Sequence, residues 1–161
     1  MKTDKENTRV YDKKTALSKA MAWCAYQERS QQELRGKLYD WQLATNEVEE
    51  IIATLISDNF LNEERFAQQY AWGKFRQKKW GKLKIKNGLR LKGVPARLIQ
   101  KAIDSIDSEE YLQTLSELIA KKSAEINERN SQKKQFKLFN YVKSKGYEND
   151  LIFLLLKNKD L

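Results

Sequence analysis

One apolar register recurs three times along this chain. Setting Gly93-Val94 against Gln42-Leu43 places Ile85 and Leu89 on Leu34 and Leu38, and Ile99, Ala102 and Ile103 on Val48, Ile51 and Ile52. Setting Gly146-Tyr147 against Gly93-Val94 places Leu138 and Val142 on Ile85 and Leu89, and Ile152, Leu155 and Leu156 on Ile99, Ala102 and Ile103. A unit of about 50 residues buries little apolar surface by itself, so repeats of this size gain stability by stacking on their neighbours. The register therefore predicts an all-α fold of about three tandem three-helix repeats stacked into an elongated array. The expected boundaries are a flexible tail over 1–14, then repeats over 15–61, 62–107 and 108–161.

Residue usage agrees with helices. The 161 residues include only six Gly and one Pro, and Ala, Leu, Lys, Glu, Gln and Arg predominate. Ser30-Gln-Gln-Glu33, Asn62-Glu-Glu and Asp107-Ser-Glu-Glu110 are helix starts, with a capping oxygen followed by acids in the first turn. Gly93 and Gly146 each follow a Lys-rich turn and mark helix ends. The predicted helices cover 15–27, 30–41, 45–57, 62–78, 82–92, 95–106, 108–127, 132–145 and 148–157. Lys82 to Lys86 alternates with the period of a strand, but its alignment with the Leu34/Leu38 segment assigns it to a helix.

Composition excludes several chemistries. With no His and a single cysteine, Cys24, the chain has no Cys/His zinc site, no internal disulfide, and no Ser-His-Asp or Cys-His constellation. Gly36-Lys37 and Gly81-Lys82 lack the flanking residues of a P-loop. The pairs Glu49/Glu50, Glu63/Glu64 and Glu109/Glu110 read as first-turn or exposed-face acids. No catalytic residue, metal site or cofactor is expected, and the chain is not read as an enzyme. The longest apolar run, Leu151 to Leu156, is far short of the roughly 18–20 residues that cross a bilayer. Residues 1–14 lack a signal-peptide apolar stretch, so the expected compartment is the cytosol, with Cys24 a core residue.

The net charge of +9 is concentrated in the middle of the chain. Residues 61–107 hold 12 basic and 4 acidic residues, whereas 1–60 and 108–161 are near balance. Lys74, Arg76, Lys78, Lys79, Lys82, Lys84, Lys86, Arg90 and Lys92 follow one another without an intervening acid. A merely solvated helical face interleaves both signs, so this run reads as a surface for a polyanion, whether phosphates or an acidic protein. Trp72, Phe75 and Trp80 interleave with it. Trp72 and Phe75 continue the apolar face of Phe66 and Tyr70, so they are expected to pack inward.

Three segments taken in order resemble the RecX family, regulators of the bacterial recombinase RecA. They are Ser30-Gln-Gln-Glu-Leu-Arg-Gly-Lys-Leu38, Phe60-Leu-Asn-Glu-Glu-Arg-Phe-Ala67, and Trp80-Gly-Lys-Leu-Lys-Ile-Lys-Asn-Gly-Leu-Arg-Leu-Lys-Gly-Val94. The resemblance is strongest over 16–106; Lys145-Gly146-Tyr147 carries it into the last unit. Two positions depart from the family pattern. Trp41-Gln42-Leu43 stands where a Lys-Gly-hydrophobic turn is expected, and Lys82 stands where Pro is common.

The resemblance implies an elongated, curved array of three-helix repeats lying in the groove of a RecA filament on single-stranded DNA. There it would lower ATPase and strand exchange, in the setting of recombination, DNA repair and the SOS response. The nine basic residues above are the expected contact set, and a monomer is the expected state. Two other readings stay open: a module binding single-stranded nucleic acid non-specifically without the recombinase, and a helical scaffold for an acidic partner protein.

Overall fold

A computed structural model of the chain describes residues 11–158. Among these, every regular element is an α-helix. The first unit contains α1 (Lys13–Tyr26), α2 (Gln31–Asp40) and α3 (Thr45–Ser57). The second contains α4 (Glu63–Lys78), α5 (Lys82–Leu91) and α6 (Ala96–Asp104), and the third α7 (Ser108–Glu125), α8 (Ser131–Ser144) and α9 (Asn149–Lys157). Each helix end lies within two residues of the sequence expectation. The start of α1 comes two residues early: Lys13 and Lys14, assigned to the tail, are helical because Asp12 caps them, its Oδ1 accepting the Thr15 N–H at 2.7 Å. Tyr11, also assigned to the tail, packs edge-on against Trp41 at 5.5 Å, and residues 1–10 of the expected tail lie outside the described residues.

Capping fixes where the other leading helices begin. Asn62 accepts the Arg65 N–H at 3.0 Å and Asp107 accepts the Glu110 N–H at 2.9 Å, each such bond contributing about 1 kcal/mol. The turn after the second helix of each unit is the same device three times. Gln42, Gly93 and Gly146 all take positive φ, at 62°, 75° and 98°. The amides one position later, of Leu43, Val94 and Tyr147, donate back to the carbonyls of Leu38, Leu89 and Val142. Those three donors are themselves buried, so every turn pins an apolar side chain beneath it.

Extensive helix packing is confined within units. The units meet end to end. The N–H groups of Gly81 and Leu83, at the start of α5, donate to the carbonyls of Lys145 and Gly146, at the end of α8, at 2.8 and 2.9 Å. The end of α5 in turn meets the start of α2, where Lys92 pairs with Glu33 at 3.1 Å and Gln32 lies against Gly93. The second helices thus succeed one another head to tail in the order α8, α5, α2, which makes the molecule an elongated array.

The two junctions differ in kind. Buried residues of the second and third units form one continuous core, in which Phe75, Tyr111 and Tyr147 follow ring on ring at 5.7 and 5.2 Å. The first unit keeps a core of its own around Leu34, Leu38, Val48, Ile51 and Leu55. It meets the second through polar contacts, notably Arg65 with Glu28 at 2.8 Å.

Candidate functional site

The basic run occupies the last two turns of α4, the loop to α5, and α5 itself. Its aromatic residues behave as the periodicity predicts. Phe75 is buried in the shared core, and Trp72 packs on it edge-on while its indole N–H donates to the Ser105 hydroxyl at 3.2 Å. Trp80 is half-buried in the α4–α5 loop. The alternation of Lys82 to Lys86 resolves as a helix in which Ile85 and Leu89 are buried and Leu83 stands exposed.

The nine cations fall into separate groups. Lys74 and Lys84 come together from two helices about the Trp80 ring, with Nζ at 5.0 and 4.7 Å from its centroid. Lys82 lies over the Tyr111 ring at 4.7 Å. On α5, Lys86 and Arg90 are exposed one turn apart, Arg90 donating to Asn87 Oδ1 at 2.8 Å. Arg76 and Lys92 are already engaged. Arg76 lies over Trp72 and donates from two nitrogens to both oxygens of Glu110, at 3.2 and 3.4 Å, while Lys92 pairs with Glu33 across the first junction. Lys78 and Lys79 face a cleft toward the third unit, lined also by Lys121, Lys122 and Lys145. Counting charge by unit hides those last three, because they belong to a segment that is near balance as a whole.

The carboxylates serve the fold. Glu49 accepts two bonds from Arg35 at 2.8 and 3.1 Å, and this bonding holds its pKa below the usual carboxylate range. Glu64 is held down by its hydrogen bond to Lys101. Burial pushes Glu63 up, since one of its oxygens is enclosed without a hydrogen-bond partner. No cluster of potential metal ligands occurs among the described residues, and no described helix is long and apolar enough to cross a membrane. Cys24 is buried, and burial pushes its thiol up, away from the reactive thiolate. Burial likewise raises Tyr111 and Tyr147. The Tyr111 hydroxyl donates to the Glu148 carboxylate and accepts the Lys82 N–H, and the Tyr147 hydroxyl donates to the Lys79 carbonyl at 2.9 Å.

Comparison with known proteins places this architecture. Residues 16–55 match the model of the RecX first three-helix domain, and residues 62–103 that of the RecX second three-helix domain. A protein of Clostridium acetobutylicum named regulatory protein RecX is 30% identical over 146 residues, 88% of this chain and 67% of that protein. One of Clostridium perfringens with the same name is 33% identical over 124 residues, 76% of this chain and 58% of that protein. In fold, the crystal structure of RecX from Lactobacillus salivarius superposes with a TM-score of 0.83 at 21% identity, covering 90% of this chain and 94% of that one. Two domain models matched in chain order, over the two units whose caps, turns and cores are described above, make this chain a member of the RecX family.

Proposed function

We propose that the protein is a modulator, mainly an inhibitor, of RecA. It binds in the groove of the RecA filament on single-stranded DNA and lowers ATP hydrolysis and strand exchange. Membership of the family suggests the partner. The observation that carries the reading is the α4–α5 surface, where Lys74 and Lys84 gather at Trp80 and Lys86 and Arg90 stand exposed, with no acid between Lys74 and Lys92 in the chain. Such a surface is drawn to a filament groove that carries phosphates and acidic side chains, and the attraction weakens with salt. An elongated array reaches several filament subunits at once, which suits a mechanism of bridging rather than catalysis.

The test is DNA-dependent ATP hydrolysis by the cognate RecA, titrated with this protein beside a binding titration on the bare strand. Inhibition is expected at concentrations well below those that coat naked DNA. Unchanged hydrolysis and strand exchange at excess protein and low salt would end the proposal. A quadruple replacement of Lys82, Lys84, Lys86 and Arg90 by Glu should weaken inhibition and flatten its salt dependence with helicity retained.

The second reading, non-specific binding of single strands without the recombinase, draws on the half-exposed Trp80 with the Lys74 and Lys84 ammonium groups 5.0 and 4.7 Å from its ring centroid, a pairing of aromatic and cationic groups of the kind single-strand sites use. It predicts inhibition only once the bare strand is saturated.

A further inference from the structure

The cleft at the junction of the second and third units carries more positive charge than its structural duties require. It has a volume of about 380 Å³, within the roughly 300–1,000 Å³ span of ligand-sized pockets. Its walls come from three segments remote in sequence: the end of α4 with Lys78 and Lys79, the last turns of α7 with Lys121 and Lys122, and the end of α8 with Lys145. One carboxylate, Glu125, shares the cleft, and it reaches Lys122 at 3.9 Å, the outer limit of an ion pair. Among the described residues, Lys78, Lys79, Lys121 and Lys145 have no carboxylate partner.

Three helix C-termini converge here, and lysines at helix ends often serve the exposed carbonyls. Four backbone carbonyls around this cleft have other donors. The Lys74 carbonyl accepts the Trp80 N–H at 3.2 Å and the Lys79 carbonyl the Tyr147 hydroxyl at 2.9 Å. The Lys122 carbonyl accepts the Ile126 N–H at 3.1 Å and the Lys145 carbonyl the Gly81 N–H at 2.8 Å. Among the described residues, no ammonium group of the cleft donates to a helix-end carbonyl, so capping does not consume them. The Tyr141 ring fixes two of them, with Lys122 and Lys145 Nζ at 4.7 and 5.9 Å from its centroid. Lys79 itself stands in the left-handed region, φ 59°, where glycine would be the unstrained choice.

We propose that this cleft is a phosphate site, which takes the backbone phosphates of a single nucleic-acid strand between the second and third units. The proposal deepens the function proposed above by naming where the strand is held, and it adds Lys121, Lys122 and Lys145 to the contact set. Lysines act here as mobile point charges that neutralise a phosphodiester without reading its sequence.

The experiment is fluorescence anisotropy of a short fluorescein-labelled oligothymidylate, titrated with the full chain over a salt series. The variants are the double Lys121→Glu/Lys145→Glu, Lys79→Gly, and a double of equal charge change outside the cleft, Lys133→Glu/Lys157→Glu. For the cleft double we expect affinity about tenfold lower and a log-log salt slope shallower by roughly 1.4, two contacts at about 0.7 each. Lys79→Gly should weaken binding while keeping or raising the thermal midpoint, which a structural role for this lysine would not produce. The control double should lose markedly less affinity than the cleft double. Equal losses in the two doubles, or no oligonucleotide binding by the parent protein, overturn the site.

RecA inhibition measured on the same variants separates this proposal from the function above. If oligonucleotide binding falls as expected and the parent protein leaves RecA unaffected, the site stands and the inhibitor reading falls. If the parent inhibits RecA while the cleft double binds the oligonucleotide as the parent does, the site falls and the inhibitor reading stands. Loss of inhibition by the cleft double without loss of oligonucleotide binding assigns the cleft to an acidic protein surface instead, and also overturns the site.

Discussion

Gln42 carries a conformation that costs it something. At φ 62° it closes the first of three equivalent turns, and the other two use glycine. An L-residue with a Cβ is disfavoured there by roughly 1–2 kcal/mol relative to its usual region, and a glycine is not. The Gln42 side chain is exposed, so nothing in the core compensates. Gln42→Gly should therefore stabilise the protein by about 0.5–1 kcal/mol in urea unfolding; destabilisation would show that the turn is held by a contact of the glutamine side chain. At the equivalent turn of the third unit, the buried Tyr147 hydroxyl spans the junction to Lys79. Tyr147→Phe leaves that carbonyl without its donor and should cost about 1–3 kcal/mol by the same measurement. The turns and buried aliphatic positions were legible in the sequence because they recur at fixed spacing. The hydroxyl bonds were not, since a tyrosine on an apolar face looks the same whether or not its oxygen finds a carbonyl 68 residues away.

At the scale of elements, α5 is where the sequence was most ambiguous and the fold is most demanding. Its lysines alternate with apolar residues as a strand's would, and only the repeat register, set by Ile85 and Leu89, identifies the helix. Its start is also a contact point, because Gly81 abuts the last turn of α8 so closely that a Cβ would lie 2.4 Å from the Gly146 carbonyl. Backbone on both sides leaves no flexible side chain to yield. Gly81→Ala should cost at least about 1–3 kcal/mol and separate the second unit from the third, visible as loss of amide protection at Gly81 and Leu83. The basic run was likewise legible as composition but not as geometry. The chain order of its nine cations does not show that Arg76 and Lys92 are spent on Glu110 and Glu33, or that Lys78 and Lys79 meet lysines of the next unit.

For the whole molecule, the contrast between junctions sets how the array opens. The second and third units share a core through Phe75, Tyr111 and Tyr147 and are tied by backbone hydrogen bonds, neither of which salt disrupts. The first junction rests on the Arg65–Glu28 and Lys92–Glu33 pairs, both partly exposed and hence screened as the Debye length falls from about 10 Å at 0.1 M salt to about 3 Å at 1 M. It also holds Glu63, whose carboxyl is raised by burial. A carboxylate raised in the folded state lowers stability above its folded pKa, and the penalty is relieved as pH falls from that value toward the ordinary carboxylate range. Glu63→Gln should therefore raise the thermal midpoint at neutral pH, and the gain should shrink as pH falls through the folded pKa. Because the first unit also has a separate core, native-state hydrogen exchange should resolve two opening free energies. The lower belongs to α1–α3 and falls further at 1 M salt, while α4–α9 exchange together and respond little. A single opening free energy across all nine described helices, at low and high salt alike, would mean that the polar junction couples the units as tightly as the aromatic one does, and the array would then move as one body rather than as a rigid pair with a hinged first unit.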